Sequence, residues 1–137
     1  MRRRLRHARP LVLLAALTLA ACEKTPIIEP DPVEEVPETF TGTLTINGGI
    51  THRFTTKGSG DINVTLKALT PNTTAVFLSL GVWTGASCNL GIVEENALPN
   101  TKLTGNGTAS GEFCTRIADD LGRLTGSVTY EIGVTHF

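Results

Sequence analysis

From residue 40 to residue 137 the chain alternates its apolar residues two by two, in short runs cut by Asn, Gly and Pro, and no helical apolar stripe lasts beyond two turns. Phe40, Leu44 and Ile46 fall on one face of a first strand, with Thr41, Thr43 and Thr45 on the other. Asn47-Gly48-Gly49 then predicts a hairpin turn, since Asn and Gly tolerate the positive φ it needs. Ile50 to Thr56 is the expected return strand, with His52 and Phe54 on the same face. Lys57-Gly58-Ser59-Gly60 is a second turn, and Ile62, Val64 and Leu66 alternate again against Asn63, Thr65 and Lys67. Pro71-Asn72 interrupts the chain before Ala75 to Trp83, an apolar run expected to be buried on both faces. Glu94 to Asn100 reads as a polar loop, while Thr101 to Leu103 and Gly111 to Ile117 read as strands. Asp119-Asp120-Leu121-Gly122 turns the chain, and Val128, Tyr130, Ile132 and Val134 give the last strand an apolar face. Seven to nine short strands with regular turn signals predict an all-β fold, a small antiparallel β-sandwich. About a hundred residues suffice for one such core and no more.

The N-terminal segment is of another kind. Arg2, Arg3, Arg4, Arg6 and Arg9 form a basic stretch with no acid, followed by Leu11 to Ala21, apolar except for Thr18. A membrane-spanning helix needs about 20 such residues, so length and flanks favour a signal peptide. The run ends in Leu19-Ala20-Ala21-Cys22, an aliphatic residue, two small ones and a cysteine. This resembles the lipobox of bacterial lipoproteins. The resemblance implies cleavage before Cys22, acylation of its thiol by a palmitate-type chain, and a membrane lipid as the first partner. The expected organisation is a signal peptide over 1–21, a lipidated N-terminus and tether over 22–39, and the sandwich over 40–137. Glu23 follows the cysteine where an Asp retains some lipoproteins in the inner membrane. The expected address is therefore the bacterial cell envelope, with the outer membrane favoured and the domain periplasmic or surface-exposed.

Residues 23–39 carry Pro26, Pro30, Pro32 and Pro37, and six acids against Lys24. Proline breaks helices and like charges repel, so this segment is expected to be an extended spacer reaching about 50 Å. Five of the twelve basic residues lie in the signal segment, leaving seven against thirteen acids and a formal charge of −6. That balance excludes a basic nucleic-acid surface.

With Cys22 acylated, Cys88 and Cys114 remain. Export places them in an oxidising compartment, where a disulfide is the default and a metal-binding or nucleophilic thiol the alternative. No catalytic motif stands out, and no enzymatic activity is expected. Gly58-Ser59-Gly60 and Ser110-Gly111 do not complete a G-x-S-x-G elbow. His52 and His136 could meet if the first hairpin and last strand are neighbours, but two ligands fall short of a typical metal site. Calcium is the one cofactor alternative, drawing oxygens from Asp61, Glu94, Glu95, Asp119 and Asp120, although Asp-Asp-x-Gly is also an ordinary turn. Trp83 caps the core or stands at a loop tip as a ligand platform. Asn63, Asn72 and Asn106 each begin a glycosylation triplet, which a bacterial lipobox makes irrelevant.

Four segments carry a resemblance to a known family: Gly42-Thr43-Leu44, His52-Arg53-Phe54, Gly60 through Leu66, and Tyr130 to Val134. Together they resemble the bacterial pre-peptidase C-terminal domain. That resemblance implies a jelly-roll-like sandwich without an active site, usually appended to an exported enzyme. Ala75-Val76-Phe77-Leu78 lacks the Asp residues that often precede the apolar positions of the family's middle strand. The expected function is a lipid-anchored envelope protein whose sandwich is a non-catalytic binding or structural module, with an envelope protein or glycan as partner. The alternatives are an accessory subunit of an exported enzyme, and a calcium-dependent adhesion or carbohydrate-binding module.

Overall fold

The computed structural model describes residues 34–137; the basic segment, the lipobox and most of the tether lie outside the described residues. The chain forms eight strands: β1 Val36–Leu44, β2 Gly49–Thr56, β3 Gly60–Thr70, β4 Val76–Trp83, β5 Cys88–Ala97, β6 Lys102–Gly107, β7 Gly111–Ala118 and β8 Val128–His136. They build two four-stranded antiparallel sheets, ordered β1-β8-β3-β6 and β2-β7-β4-β5. Only β4 and β5 are neighbours both in sequence and in a sheet, and every other connection crosses from one sheet to the other. This is the connectivity of an eight-stranded jelly roll.

The core lies where the alternation points. Ile62, Val64 and Leu66 of β3 are buried, as are Val128, Tyr130, Ile132 and Val134 of β8. They meet Phe54, Leu78, Leu80 and Ile117 of the opposite sheet in one apolar cluster. Past Leu66 the β3–β8 register slips by one residue at Lys67. The bulge shifts the inward phase by one, so Leu69 rather than Ala68 is buried.

Several local expectations are corrected. Asn47-Gly48-Gly49 is a turn, closed by Gly48 N–H donating to Thr45 O at 2.9 Å with Asn47 at φ 53°. It does not make a hairpin, because β1 and β2 belong to different sheets. Ile46 lies in that turn, beyond the end of β1, and is exposed. The first strand begins at Val36, inside the segment expected to be tether. Pro37 is accommodated because β1 is an edge strand, where a residue without an N–H need not break a ladder. Glu94 to Asn100 is not a loop throughout: Glu94 to Ala97 complete the edge strand β5, and only the following residues turn. Burial on both faces holds only for the middle of β4, from Leu78 to Gly81, while Val82 is half exposed.

Candidate interaction surface

The sheet edges define two flanks of the sandwich. On one, β1 faces β2; on the other, β5 faces β6. The β5 flank is built on the β4–β5 hairpin. Gly81 permits its close approach, since a Cβ there would collide with the Asn89 carbonyl oxygen. The hairpin turn is closed by Thr84, whose N–H and Oγ1 each donate to Ser87 O at 3.0 Å. Cys88, the first residue of β5, is disulfide-bonded to Cys114 of β7, with Cα atoms 5.9 Å apart. β4 lies between those two strands, so the bond ties the start of an edge strand to the sheet interior.

Trp83 lies beside this bond at the end of β4. It is neither in the core nor at a loop tip. It is half buried, with the Arg53 guanidinium 5.0 Å from the ring centroid, a cation–π contact. Its indole N–H is buried without an acceptor. The ring serves as packing for the hairpin end rather than as an open platform.

The apolar side chains left uncovered are not scattered. Among the described residues seven large hydrophobics are exposed, and five of them, Val82, Leu90, Ile92, Val93 and Leu98, belong to β4, β5 or the residue just after β5. Between β5 and β6 a cleft of about 160 Å³ runs down to the core, floored by Ile62, Leu80 and Phe113 and open beside Val82, Gly91 and Ile92. Gly105 on β6 keeps it open, because a Cβ there would reach 2.9 Å from the Leu80 side chain. Sequence reasoning missed this surface. The run Leu90-Gly91-Ile92-Val93 was the available signal, but its glycine and the polar residues after it hide a strand.

The acidic residues considered for calcium do not converge. Asp61 accepts a bond from Asn106 Nδ2 at 3.2 Å on the β3–β6 pair, and Glu94 Oε1 accepts its neighbour Asn96 N–H at 2.9 Å. Glu95, Asp119 and Asp120 do line one cavity of about 150 Å³, but Arg123 lines it too. Asp120 pairs with Arg116 at 3.0 Å. Asp119 is buried, and both its oxygens are occupied: Oδ1 accepts from Arg123 N–H at 2.7 Å, and Oδ2 from Asn47 at 3.0 Å and Leu124 at 3.2 Å. Burial works to raise its pKa, but those three N–H groups and the Arg123 charge outweigh it and hold the carboxyl below its ordinary range. Asp119 therefore organises the turn between β7 and β8. Among the described residues no three His, Cys, Asp or Glu side chains come together to hold a metal.

The histidines do not share a site either. His52 Nε2 is bonded to Tyr130 Oη at 2.8 Å, and its ring stacks on Phe40 at 4.7 Å. Burial lowers the pKa of His52 and raises that of Tyr130. His136 Nε2 donates to Glu38 Oε1 at 2.7 Å, its ring stacks on Phe54 at 5.3 Å, and its Nδ1 is buried without a partner. Glu38 falls within the expected tether, but it belongs to β1, which brings it opposite the last residues of β8. Ser59 lies in the bend before β3, and Ser110 in the one before β7.

Compared with models of known protein families and with curated proteins, the chain matches none.

Proposed function

We propose that the sandwich is a non-catalytic protein-binding module carried by a lipid-anchored envelope protein, and that it binds through the β4–β5 edge. The observation carrying this reading is the gathering of five of the seven exposed large hydrophobics on that edge. Val82 and Ile92 line the cleft, while Leu90 and Val93 occupy the alternate positions on the other face of the β4–β5 pair, so exposed apolar side chains lie on both sides of one edge. Large exposed apolar patches mark interaction sites. The chemistry-bearing side chains that do meet, His52 with Tyr130 and His136 with Glu38, join strands of the sandwich to one another. The resemblance to the lipobox supports the anchor. The pre-peptidase resemblance suggests one class of partner, an exported enzyme.

The test is site-specific photo-crosslinking of the membrane-anchored protein in a bacterial host. A photoreactive residue in place of Val93 should give a discrete adduct of fixed mass. The same residue at Thr43, exposed on β1, should give none. Equal labelling from both positions, or no adduct from Val93, would overturn the reading.

A further inference from the structure

We propose that the chain pairs with a second copy of itself by exchanging β1, each copy laying its first strand on β8 of the other. The exchange goes beyond the proposed binding edge and does not depend on it.

Of the two terminal strands only β1 is free to leave. β8 lies between β1 and β3, whereas β1 is an edge paired with β8 alone. β1 is also lightly held. Leu44 is its one fully buried residue, and the other inward positions, Val36, Glu38, Phe40 and Gly42, are half-buried. Its pairs with β8 run from Val36 opposite His136 to Leu44 opposite Val128 without a slip, so the same ladder re-forms on a second copy. The Glu38–His136 bond and the Phe40–His52 stack are regained there as well.

The link from β1 to β2 is suited to opening. The two strands belong to different sheets, so straightening the turn between them breaks no strand pairing. The turn is held by Gly48 N–H to Thr45 O at 2.9 Å, Asn47 N–H to Asp119 Oδ2 at 3.0 Å and Asp119 N–H to Gly48 O at 2.9 Å. Against these bonds stands Asn47 at φ 53°, a left-handed conformation that an extended hinge releases.

The sequence fits the straightened hinge too. Phe40, Leu44, Ile46, Ile50, His52 and Phe54 all fall on even positions, so the alternation of β1 passes through the turn into β2 without a change of phase. Ile46 has no use in the closed chain, where it is 48% exposed and stands outside the core cluster. Straightened, Val36 to Thr56 form one strand of about 70 Å with Ile46 on its apolar face. The hinges of two exchanged copies run antiparallel about a twofold axis, which brings the two Ile46 side chains together. Exchange of the same element between two copies closes a dimer and leaves no open end to extend.

The experiment co-expresses two differently tagged copies of the full chain in a bacterial host, one carrying Thr41→Cys and the other Glu131→Cys. These positions are opposite one another in the β1–β8 register. Paired strand residues lie about 4.5–5.5 Å apart at Cα, within reach of a disulfide. Expected is a covalent dimer carrying both tags, released by reductant. Thr41→Cys with Lys102→Cys, which lies in β6 at the other edge of the same sheet, should give none. Asn47→Gly relieves the turn and Ile46→Lys sets like charges against each other at the hinge crossing, so either change in both copies should lower the yield at least about threefold. Absence of the mixed dimer overturns the exchange, whether or not the two cysteines link when placed in one chain. Equal linking through Lys102→Cys makes the dimer a surface association and overturns it too. A yield unchanged by both hinge substitutions overturns exchange through this hinge.

Discussion

Replacing both Cys88 and Cys114 by alanine tests what the disulfide does. The bond closes a span of 26 residues. In the chain-entropy model, removing such a closure from the unfolded state costs about 3.5 kcal/mol. A domain this size is stable by about 5–15 kcal/mol, so the variant should keep a fold of reduced stability. At about 4–8 °C per kcal/mol, the melting temperature should fall by roughly 14–28 °C. Urea unfolding can be followed by two signals of different reach. The single tryptophan, Trp83, reports on the hairpin end beside the bond, and circular dichroism reports on all eight strands. Both transitions should move together to lower urea, with a steeper dependence, because the uncrosslinked chain exposes more surface when unfolded. A midpoint change worth less than about 1 kcal/mol would refute the entropic argument. So would a Trp83 transition that moves alone, for then the bond would pin the hairpin locally and leave the rest of the sandwich indifferent.

Four further outcomes are expected. His52 is held neutral by burial, so the unfolded chain takes up the proton first, and stability should be full above pH 6.5 and fall below it; His52→Phe should flatten that limb in melting curves. Tyr130 has a raised pKa, so stability should fall above pH 10.0, and Tyr130→Phe should remove that loss. Asp119→Ala should cost about 2–4 kcal/mol in urea unfolding, because three backbone N–H groups lose a charged acceptor; the parent's share of that stability is present above pH 3.8 and is lost as pH falls through the lower folded value. Gly42→Ala should cost about 1–3 kcal/mol, since its Cβ would lie 2.5 Å from Tyr130 Oη, and Tyr130→Leu in the same chain should recover part of the loss.

The parts of the fold legible in the sequence are those where a strand keeps one apolar face. β3 alternates from Ile62 to Leu66 and β8 from Val128 to Val134, and the inward residues of these runs are the buried ones. The Cys88–Cys114 bond was legible because two cysteines remained once Cys22 was assigned to the lipid. β5 was not legible, because an edge strand faces solvent along much of its length and Glu94-Glu95-Asn96 look like loop residues there. The turn at Asn47 was found, but its destination was not: a tight turn has the same local chemistry whether the next strand pairs with the last or crosses to the other sheet. The partners of the histidines were illegible for a related reason. Tyr130 is 78 positions from His52, and Glu38 is 98 from His136, so only the jelly-roll connectivity brings them together.

The pairing of Val36 with His136 has a mechanical consequence. In a protein held by residues preceding Val36, tension enters the sandwich at one end of the β1–β8 ladder. A partner bound at the proposed β4–β5 edge would pull from the far flank, and the load path would then cross both sheets. Such a load peels β1 one residue pair at a time, starting at Val36, and only two pairs farther in does it reach Glu38 and its bond to His136. That bond acts as the inner latch of the seam.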